Sequence, residues 1–484
     1  MTRSTFSVQA STSGPTLRTG DHSPLGGCGK GSGACLLLAA FCLLPSLHAQ
    51  QPPASSLQSP ASRVLRLTLK KAVEIALEPE GNARVQIAEQ MTRQAQARSG
   101  QARASLLPDL SGSLARQSQT RNLAAMGIRI QVPIPGFVFP TFVGPFSVVD
   151  ARASVAQSIF DFSAIRRFQA SRAGVRMAGA ESDTAREQAA EQVARAYMAA
   201  MRADASLETA QANVKLAESL VKLAEDQKAA GTGTGIEVTR ALVQLANERQ
   251  RLLVAENEQS RTRLQLLKAL GLPLDTEVEL ADKLGYVQVP DVAVERARAA
   301  ALESRPDWKA QQRREESARL NYSATKMERL PSLAGFADYG AMGTGFDAAL
   351  PTRTYGVALR VPVFDGGRRD ARRAESFAQL RQEQIRGGDL REQIELEIRV
   401  ARNSLRSAEE QVRAAQEGLK LAEDEMAQAR RRYEAGVTSG IEVTDAQTRL
   451  ARAQENRIAA LFSHNMARLD LAAATGTVRK ELLQ

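Results

Sequence analysis

A turn that occurs twice is the feature that most constrains this chain of 484 residues. Residues 235–239 read Gly-Ile-Glu-Val-Thr, and the same five residues return at 440–444. A further glycine precedes each segment by four positions, at Gly231 and Gly436. Both turns lie between long, alanine-rich stretches without proline. A sequence that returns in this way predicts one structural unit used twice, here as a pair of helical hairpins.

Each repeat is predicted to contain helices and two strands in the same order. The helix at 163–230 would be about 100 Å long at 1.5 Å per residue. The clearest strand is 354–364, where apolar residues alternate with small or charged ones. The first repeat (66–271) is predicted to have helices within 68–105, strands at about 108–120 and 148–160, and helices at 163–230 and 237–270. The second repeat (291–476) is predicted to have helices within 291–328, strands at about 332–342 and 354–364, and helices at 366–435 and 441–475. Residues 272–290 are predicted to link the repeats, and residues 477–484 to form a C-terminal tail.

The helices carry the patterns of coiled-coil and solvated surfaces. Arginine is interleaved with glutamate along them, so the net charge of +10 favours a solvated, salt-bridged helical surface over a nucleic-acid-binding one. On the helix 237–270, apolar residues recur every seven positions, the spacing of coiled-coil packing. These seam residues are Val238, Leu245, Leu252 and Leu266, with Leu242 and Leu270 at the other seam position.

The N-terminal 49 residues are predicted to be a secretory signal peptide. Residues 34–44 form an apolar run that follows Lys30 and is too short to cross a bilayer as a helix. Cleavage is expected near Ala49, and the Gln-, Pro- and Ser-rich residues 50–65 are expected to be a disordered linker. A lipobox-like sequence at 25–28 precedes the apolar run instead of ending it, so lipidation is the disfavoured alternative.

The predicted mature chain has no cysteine and only one histidine. All three cysteines, Cys28, Cys35 and Cys42, lie in the predicted signal peptide. Their removal excludes disulfides, thiolate metal sites and cysteine nucleophiles. Two of the three histidines leave with the same segment, so only His464 remains, and a structural role is expected for it. We therefore predict no enzymatic activity and no catalytic, cofactor or metal site.

The four predicted strands alternate as a strand between lipid and water must. An open four-stranded sheet in a bilayer would expose edge N–H and C=O groups to hydrocarbon, at a cost of several kcal/mol each. Four strands cannot close a barrel, because small barrels need about eight. Three chains that share one barrel would supply twelve strands. The alternative is a small soluble sheet that caps a coiled coil.

The order of several motifs resembles that of the TolC-like outer membrane efflux proteins. A Leu-Pro-x-Leu sequence enters a strand at 107–110 and again at 330–333. Pro-Val-Phe-Asp-Gly-Gly at 362–367 follows the last strand. Tyr-Glu-Ala-Gly at 433–436 leads to Ile-Glu-Val-Thr-Asp-Ala at 441–446. The resemblance covers about residues 65–476.

This resemblance implies a mainly helical chain with membrane strands. Three copies would form a twelve-stranded outer-membrane β-barrel continuous with a twelve-helix periplasmic α-barrel. The implied function is a passive exit duct of a tripartite efflux or type I secretion system, gated at its periplasmic helical tips. The implied partners are a periplasmic adaptor protein, an inner-membrane pump and outer-membrane lipid, without nucleic acid or cofactor. The alternative is a periplasmic coiled-coil adaptor (membrane fusion) protein.

The resemblance also assigns candidate residues to the periplasmic end. The gate falls on Glu237, Tyr433 and Thr438, where Thr438 occupies the position of an arginine in the family. An acidic ring at the entrance falls on Glu442, which replaces an aspartate, and Asp445. Two alternatives stay open, because Tyr433 can equally serve packing and both acids lie in the first turn of a helix, where they complement its dipole.

Four glycines mark the tips of the two hairpins. Gly231 and Gly235 lie in the first turn, and Gly436 and Gly440 lie in the second. We expect them to form the turns, because glycine adopts backbone conformations that other residues avoid. We also expect the small tip surface that they present to be the docking site for an adaptor.

Overall fold

The computed structural model describes residues 64–128, 135, 140–290 and 293–483. The predicted signal peptide 1–49 and the predicted linker up to residue 63 lie outside these residues, as does much of the apolar segment predicted as a loop at 121–146. All structural statements below refer to the described residues.

The described chain is mainly helical, and its element order is the same in both halves: two helices, two strands and two further helices. The two longest helices have 68 and 67 residues. The helices are α1 (Leu69–Leu77), α2 (Ala83–Ala104), α3 (Phe162–Ala229), α4 (Gly235–Leu270), α5 (Val294–Ser304), α6 (Pro306–Met327), α7 (Arg368–Glu434), α8 (Gly440–Thr475) and α9 (Val478–Leu483). The strands are β1 (Leu65–Leu67), β2 (Asp109–Asn122), β3 (Phe142–Phe160), β4 (Val278–Leu280), β5 (Ser332–Gly343) and β6 (Leu350–Arg360).

Helix α3 begins at a side-chain cap, and α4 and α8 end at glycines. Asp161 accepts a hydrogen bond from the backbone N–H of Ala164 at 3.1 Å, which satisfies one of the free donors in the first turn of α3. Helices α4 and α8 end at Gly271 and Gly476, whose φ angles are 79° and 69°. This left-handed conformation favours glycine and stops each helix at a defined residue.

The C-terminal ends of α4 and α8 each meet the start of another helix. The side-chain amide of Asn82, which precedes α2, donates to the carbonyl of Ala269 at the end of α4 at 2.9 Å. Arg305, which precedes α6, donates to the carbonyl of Ala474 at the end of α8 at 3.0 Å. A side chain therefore joins α4 to α2 and α8 to α6 where the chain itself is not continuous.

Arg305 is a buried cation at the second of these joints, with only 8% of its surface exposed. Its guanidinium contacts the carboxylates of Asp307 and Glu397, each at 2.6 Å. The positive charge lies at the C-terminal end of α8, where the helix dipole favours a cation. Two carboxylates and a helix end together compensate the burial of this charge.

The main sheet has four antiparallel strands in the order β2-β3-β5-β6. Its register places most of the large apolar side chains on one face and most of the polar side chains on the other. The exposed apolar face carries Leu110, Leu114, Tyr339, Tyr355, Val357 and Leu359. The opposite face includes Arg152, which pairs with Asp150 at 2.9 Å and Asp338 at 3.1 Å. The predicted alternation is thus present in most of the sheet, with Phe336, Met342 and Leu350 on the face of Arg152 as exceptions.

The sheet differs from the prediction at several strand ends. Strand β3 begins at Phe142 instead of 148, and β2 continues to Asn122, so the segment predicted as a loop at 121–146 contains the ends of two strands. Strand β6 covers Leu350–Arg360 instead of 354–364. It ends there because Pro362 has no N–H for a strand ladder.

Two further predicted boundaries are corrected. Helix α7 begins at Arg368 instead of 366, because Gly366 and Gly367 have φ angles of 70° and 83° and cannot belong to a helix. The predicted tail 477–484 contains α9, which buries Val478 completely in the main core. The predicted helices within 68–105 are present as α1 and α2, and the break between them contains Pro79, which lacks the N–H that a helix needs.

The predicted linker 272–290 is a docked segment. Strand β4 pairs in parallel with β1, and residues 281–290, which we call the strap, run on from it. Within the strap, the carbonyl of Gly285 accepts a hydrogen bond from the Asn465 side chain at 2.9 Å. The Tyr286 ring lies 4.7 Å from the ring of His464. His464 is fully buried and neither of its ring nitrogens has a hydrogen-bond partner in the described residues.

Among the described residues, no helix combines the length and the hydropathy that crossing a bilayer would require.

Candidate functional site at the helical tips

The two hairpin turns use their glycines in two different ways. Gly231 and Gly436 follow α3 and α7 with φ angles of 74° and 71°, a left-handed conformation that favours glycine. Gly235 and Gly440 are the first residues of α4 and α8, and neither has a positive φ. The backbone conformation therefore requires glycine at Gly231 and Gly436 but not at Gly235 and Gly440.

Glu237 connects the two hairpins. Its carboxylate accepts the N–H of Thr234 at 3.0 Å, which completes a capping box at the start of α4. The other carboxylate oxygen accepts the N–H of Gly440, on the second hairpin, at 3.3 Å. The N–H of Thr234, and to a lesser degree that of Gly440, lowers the pKa of Glu237 below its ordinary value. The carboxylate is therefore ionised at neutral pH.

Tyr433 lies in the same contact. It is 5% exposed and belongs to an apolar cluster with Met426 and Val443. Its backbone carbonyl accepts a hydrogen bond from the side chain of Gln227, on the first hairpin, at 2.9 Å. Burial, and next the charge of Glu237, raises the pKa of Tyr433, so its hydroxyl remains a hydrogen-bond donor at neutral pH.

The structure separates Thr438 from this contact. Its hydroxyl donates to the carboxylate of Glu442, four residues later on the same hairpin. Glu442 also forms an ion pair with Arg432 at 2.8 Å. Asp445 is exposed, and no described side chain bonds its carboxylate. The two acids predicted as one ring thus differ: Glu442 is paired within its own hairpin and Asp445 is not.

Several residues at this site escaped the sequence analysis. Gln227 bonds across the hairpins, and Arg432 neutralises Glu442. Gln447 is buried in the contact at 2% exposure. A comparison of the two repeats offers one signal, since Gln447 occupies the position that Leu242 has in the first repeat. Among the described residues, no group of three or more histidine, cysteine, aspartate or glutamate side chains is placed to hold a metal ion.

The fold and the repeated hairpins define a class of outer-membrane channel. The family model for outer membrane efflux proteins matches residues 76–272 and again 297–477, most of the chain. The chain belongs to this family. The match confirms the predicted resemblance and the outer-membrane localisation, and the family is one of channels, not of adaptors or enzymes.

Known relatives agree with this assignment. The pyoverdine export outer membrane protein OpmQ of Pseudomonas putida is 25% identical over 295 residues, which are 59% of this chain and 61% of the relative. The outer membrane protein VceC of Vibrio cholerae has a TM-score of 0.70 at 21% identity, covering 84% of this chain and 96% of VceC. The CmeC outer membrane channel of Campylobacter jejuni has a TM-score of 0.73 at 17% identity, covering 84% of this chain and 85% of CmeC. At these identities the structures establish a shared fold.

Proposed function

We propose that this protein is the outer-membrane exit duct of a tripartite efflux or type I secretion system. Three copies would form a twelve-stranded β-barrel continuous with a twelve-helix periplasmic α-barrel. The two halves of the chain would be a tandem duplication, which the repeated element order and the two family matches support. The partners would be a periplasmic adaptor protein and an inner-membrane pump, and transport would be passive.

One observation carries this proposal: a sheet with one apolar and one polar face, whose outer strands β2 and β6 each have an unpaired edge in the described chain. Edge groups left in hydrocarbon cost several kcal/mol each. The edges are satisfied if β6 of one copy pairs with β2 of the next. The polar face would then line the lumen and the apolar face would contact lipid.

The helices offer a second surface for the same assembly. Exposed apolar residues follow α4 at a spacing of eleven, which is three helical turns, so they form one stripe. The stripe consists of Leu242, Val243, Leu253, Val254 and Leu264. Leu242, predicted as a seam residue of coiled-coil packing, is 47% exposed in the described chain. A stripe of this length needs a cover, and a neighbouring copy in a helical barrel would provide it.

At the periplasmic tips, we propose that Glu237 and Tyr433 form the latch of a gate. Both connect the α3/α4 hairpin to the α7/α8 hairpin, so any opening that separates the hairpins must break their contacts. Thr438 would act only indirectly, through Glu442. The turns at Gly231, Gly235, Gly436 and Gly440 would present the surface on which the adaptor docks, together with Val437, which is 70% exposed.

Assembly is testable by cross-linking against a cysteine-free background, because all three cysteines precede residue 50. Ser113→Cys on β2 would be combined with single cysteines along β6, starting with Thr354→Cys. In extracted outer membranes, one pairing should give a covalent trimer, whereas Ser113→Cys alone should not. A protein that stays monomeric and dissolves without detergent would refute the proposal. Purified trimers should also conduct ions in planar bilayers.

A further inference from the structure

A small cavity lies inside the tip, between the two hairpins. Its volume is about 20 Å³, and polar groups on both hairpins line it, among them Glu237, Gln244, Tyr433, Thr444 and Gln447. A cavity that holds one water needs at least about 10–15 Å³ and two to four polar partners. The cavity therefore has the size and the lining of a site for a single water molecule.

Gln447 is an independent sign of a bound molecule at this place. Only 2% of its surface is exposed, and its side-chain Nε2 has no hydrogen-bond partner in the described residues. A buried donor left unsatisfied costs about 1–3 kcal/mol. Because Gln447 lines the cavity, an occupant with an acceptor atom would satisfy this donor.

The latch residues converge on the same space. A Cβ atom placed on Gly440 would lie 3.7 Å from the Tyr433 hydroxyl oxygen and 3.7 Å from Cγ of Glu237. A phenol, a carboxylate and a primary amide thus surround one small volume. A water molecule suits this combination, because it can accept from the amide and the phenol and donate to the carboxylate.

We propose that this cavity is a binding site for one structural water molecule that bridges the two hairpins, and that Gln447 is its positioning residue. The proposal rests on the gate proposed above and deepens it. The latch then has three parts: the Glu237–Gly440 bond, the Gln227–Tyr433 bond and the water. Opening of the tip releases the water and exposes the Gln447 amide.

The change in open probability caused by Gln447→Leu has a different sign with and without a bridging water. Gln447→Leu removes the amide that positions the water and should raise the open probability of trimers in planar bilayers by about 5-fold for each chain, the equivalent of one lost hydrogen bond per chain. If no water bridges the hairpins, Leu instead removes an unsatisfied donor, and the open probability stays unchanged or falls. Gln454→Leu is the matched control, because Gln454 is on the same helix with an unpartnered, buried Oε1 but does not line the cavity.

A second pair of variants tests the space itself. Gly440→Ala should place a methyl group against Tyr433 and Glu237, displace the water and raise the open probability as Gln447→Leu does. Gly235→Ala is its counterpart in the first repeat, where an added Cβ would meet nothing within 4 Å, and it should have no effect. In the double variant of Gln447→Leu with Tyr433→Phe, the effects should be less than additive, because both remove partners of one water. Additive effects would overturn the bridge.

The water can also be tested without any transport measurement. A structure of the trimer at a resolution that shows ordered waters should contain one density peak within hydrogen-bond distance of Gln447 Nε2. The peak should be absent in Gln447→Leu. If the peak is absent from the unmodified protein, the water proposal is wrong but the proposed channel function is unaffected. If the unmodified trimer does not conduct ions, the proposed channel function is wrong but the water proposal is unaffected.

Discussion

The bond between Glu237 and Gly440 leads to the sharpest prediction about the gate. Glu237→Gln keeps the size of the side chain and an acceptor oxygen but removes the negative charge. A hydrogen bond to a charged acceptor contributes about 1.5–3 kcal/mol, against about 0.5–1.5 kcal/mol for a neutral one. At 3.3 Å and in a half-buried setting, the Gly440 contact belongs at the weak end of that range.

We therefore expect Glu237→Gln to cost the closed tip about 1 kcal/mol per chain, or about 5-fold in the ratio of closed to open. If the three tips of a trimer open together, the costs add to about 3 kcal/mol, or about 150-fold. Single-channel recording in planar bilayers would measure this as a rise in open probability at neutral pH.

The second repeat supplies a matched control in Glu442→Gln. Glu442 occupies the same position in its turn as Glu237 but contacts Arg432 and Thr438 on its own hairpin. Its loss should leave the open probability nearly unchanged. Equal effects of the two substitutions, or none from Glu237→Gln, would refute the argument that the contact across the hairpins holds the tip closed.

The same contact sets a dependence on pH. Backbone N–H donors lower the pKa of Glu237, so the folded tip favours the ionised form. The resulting stabilisation is complete above the unfolded-state pKa, about 4.3 for glutamate, and is lost as pH falls through the lowered folded-state pKa. Only the smaller contribution, that of the Gly440 N–H, is lost when the hairpins separate. Closed-state stability should thus be constant near neutrality and decline modestly in acid, and this decline should be absent in Glu237→Gln.

Three further predictions concern other parts of the chain. Asp445→Asn should reduce the cation selectivity of the closed pore more than Glu442→Gln, because Glu442 is already paired with Arg432. Reversal potentials in a salt gradient measure the selectivity, and a larger loss in Glu442→Gln would contradict the prediction. Burial holds the pKa of His464 low, with the nearby Glu409 raising it and Arg468 lowering it. The strap should therefore pack fully above about pH 6.5 and more weakly below it. Hydrogen exchange in the strap should rise on acidification, and this dependence on pH should be lost in His464→Leu. Arg305→Met should destabilise the protein by about 2 kcal/mol, since it leaves two partly exposed carboxylates without their cation and the Ala474 carbonyl without its donor. Calorimetry should show a much smaller loss when one of the exposed surface arginines is replaced.

Sequence periodicity was enough to predict the long helices and the two-faced sheet. The proline-free stretch at 163–230 differs from α3 by one residue at each end. Its alanine-rich pattern is continuous, so no local signal competes with the helix. The strand ends were less predictable, because pairing with a neighbour extended β3 back to Phe142 through residues whose own pattern is irregular. Tertiary hydrogen bonding overrode local preference there.

The repeat was enough to predict the positions of residues at the site but not their contacts. The repeated turn placed Glu237 and Glu442 at equivalent positions, and both lie in the first turn of their helices. It could not show that one bonds across the hairpins and the other within its own hairpin, because that difference depends on how the hairpins pack. Gln227 lies in a long helix with several other glutamines, so nothing in the sequence marked it, and Gln447 was marked only by its difference from Leu242 at the equivalent position of the first repeat.

The joints at Asn82 and Arg305 bear on how such a molecule could move. Helices α3 and α7 are continuous, whereas their hairpin partners α4 and α8 are about half as long. A side-chain hydrogen bond joins the end of α4 to α2 and the end of α8 to α6. A fastening of this type tolerates a small tilt or twist without breaking any peptide or uncoiling any turn. We therefore expect that α4 and α8 can tilt against α3 and α7 while the strands keep their pairing.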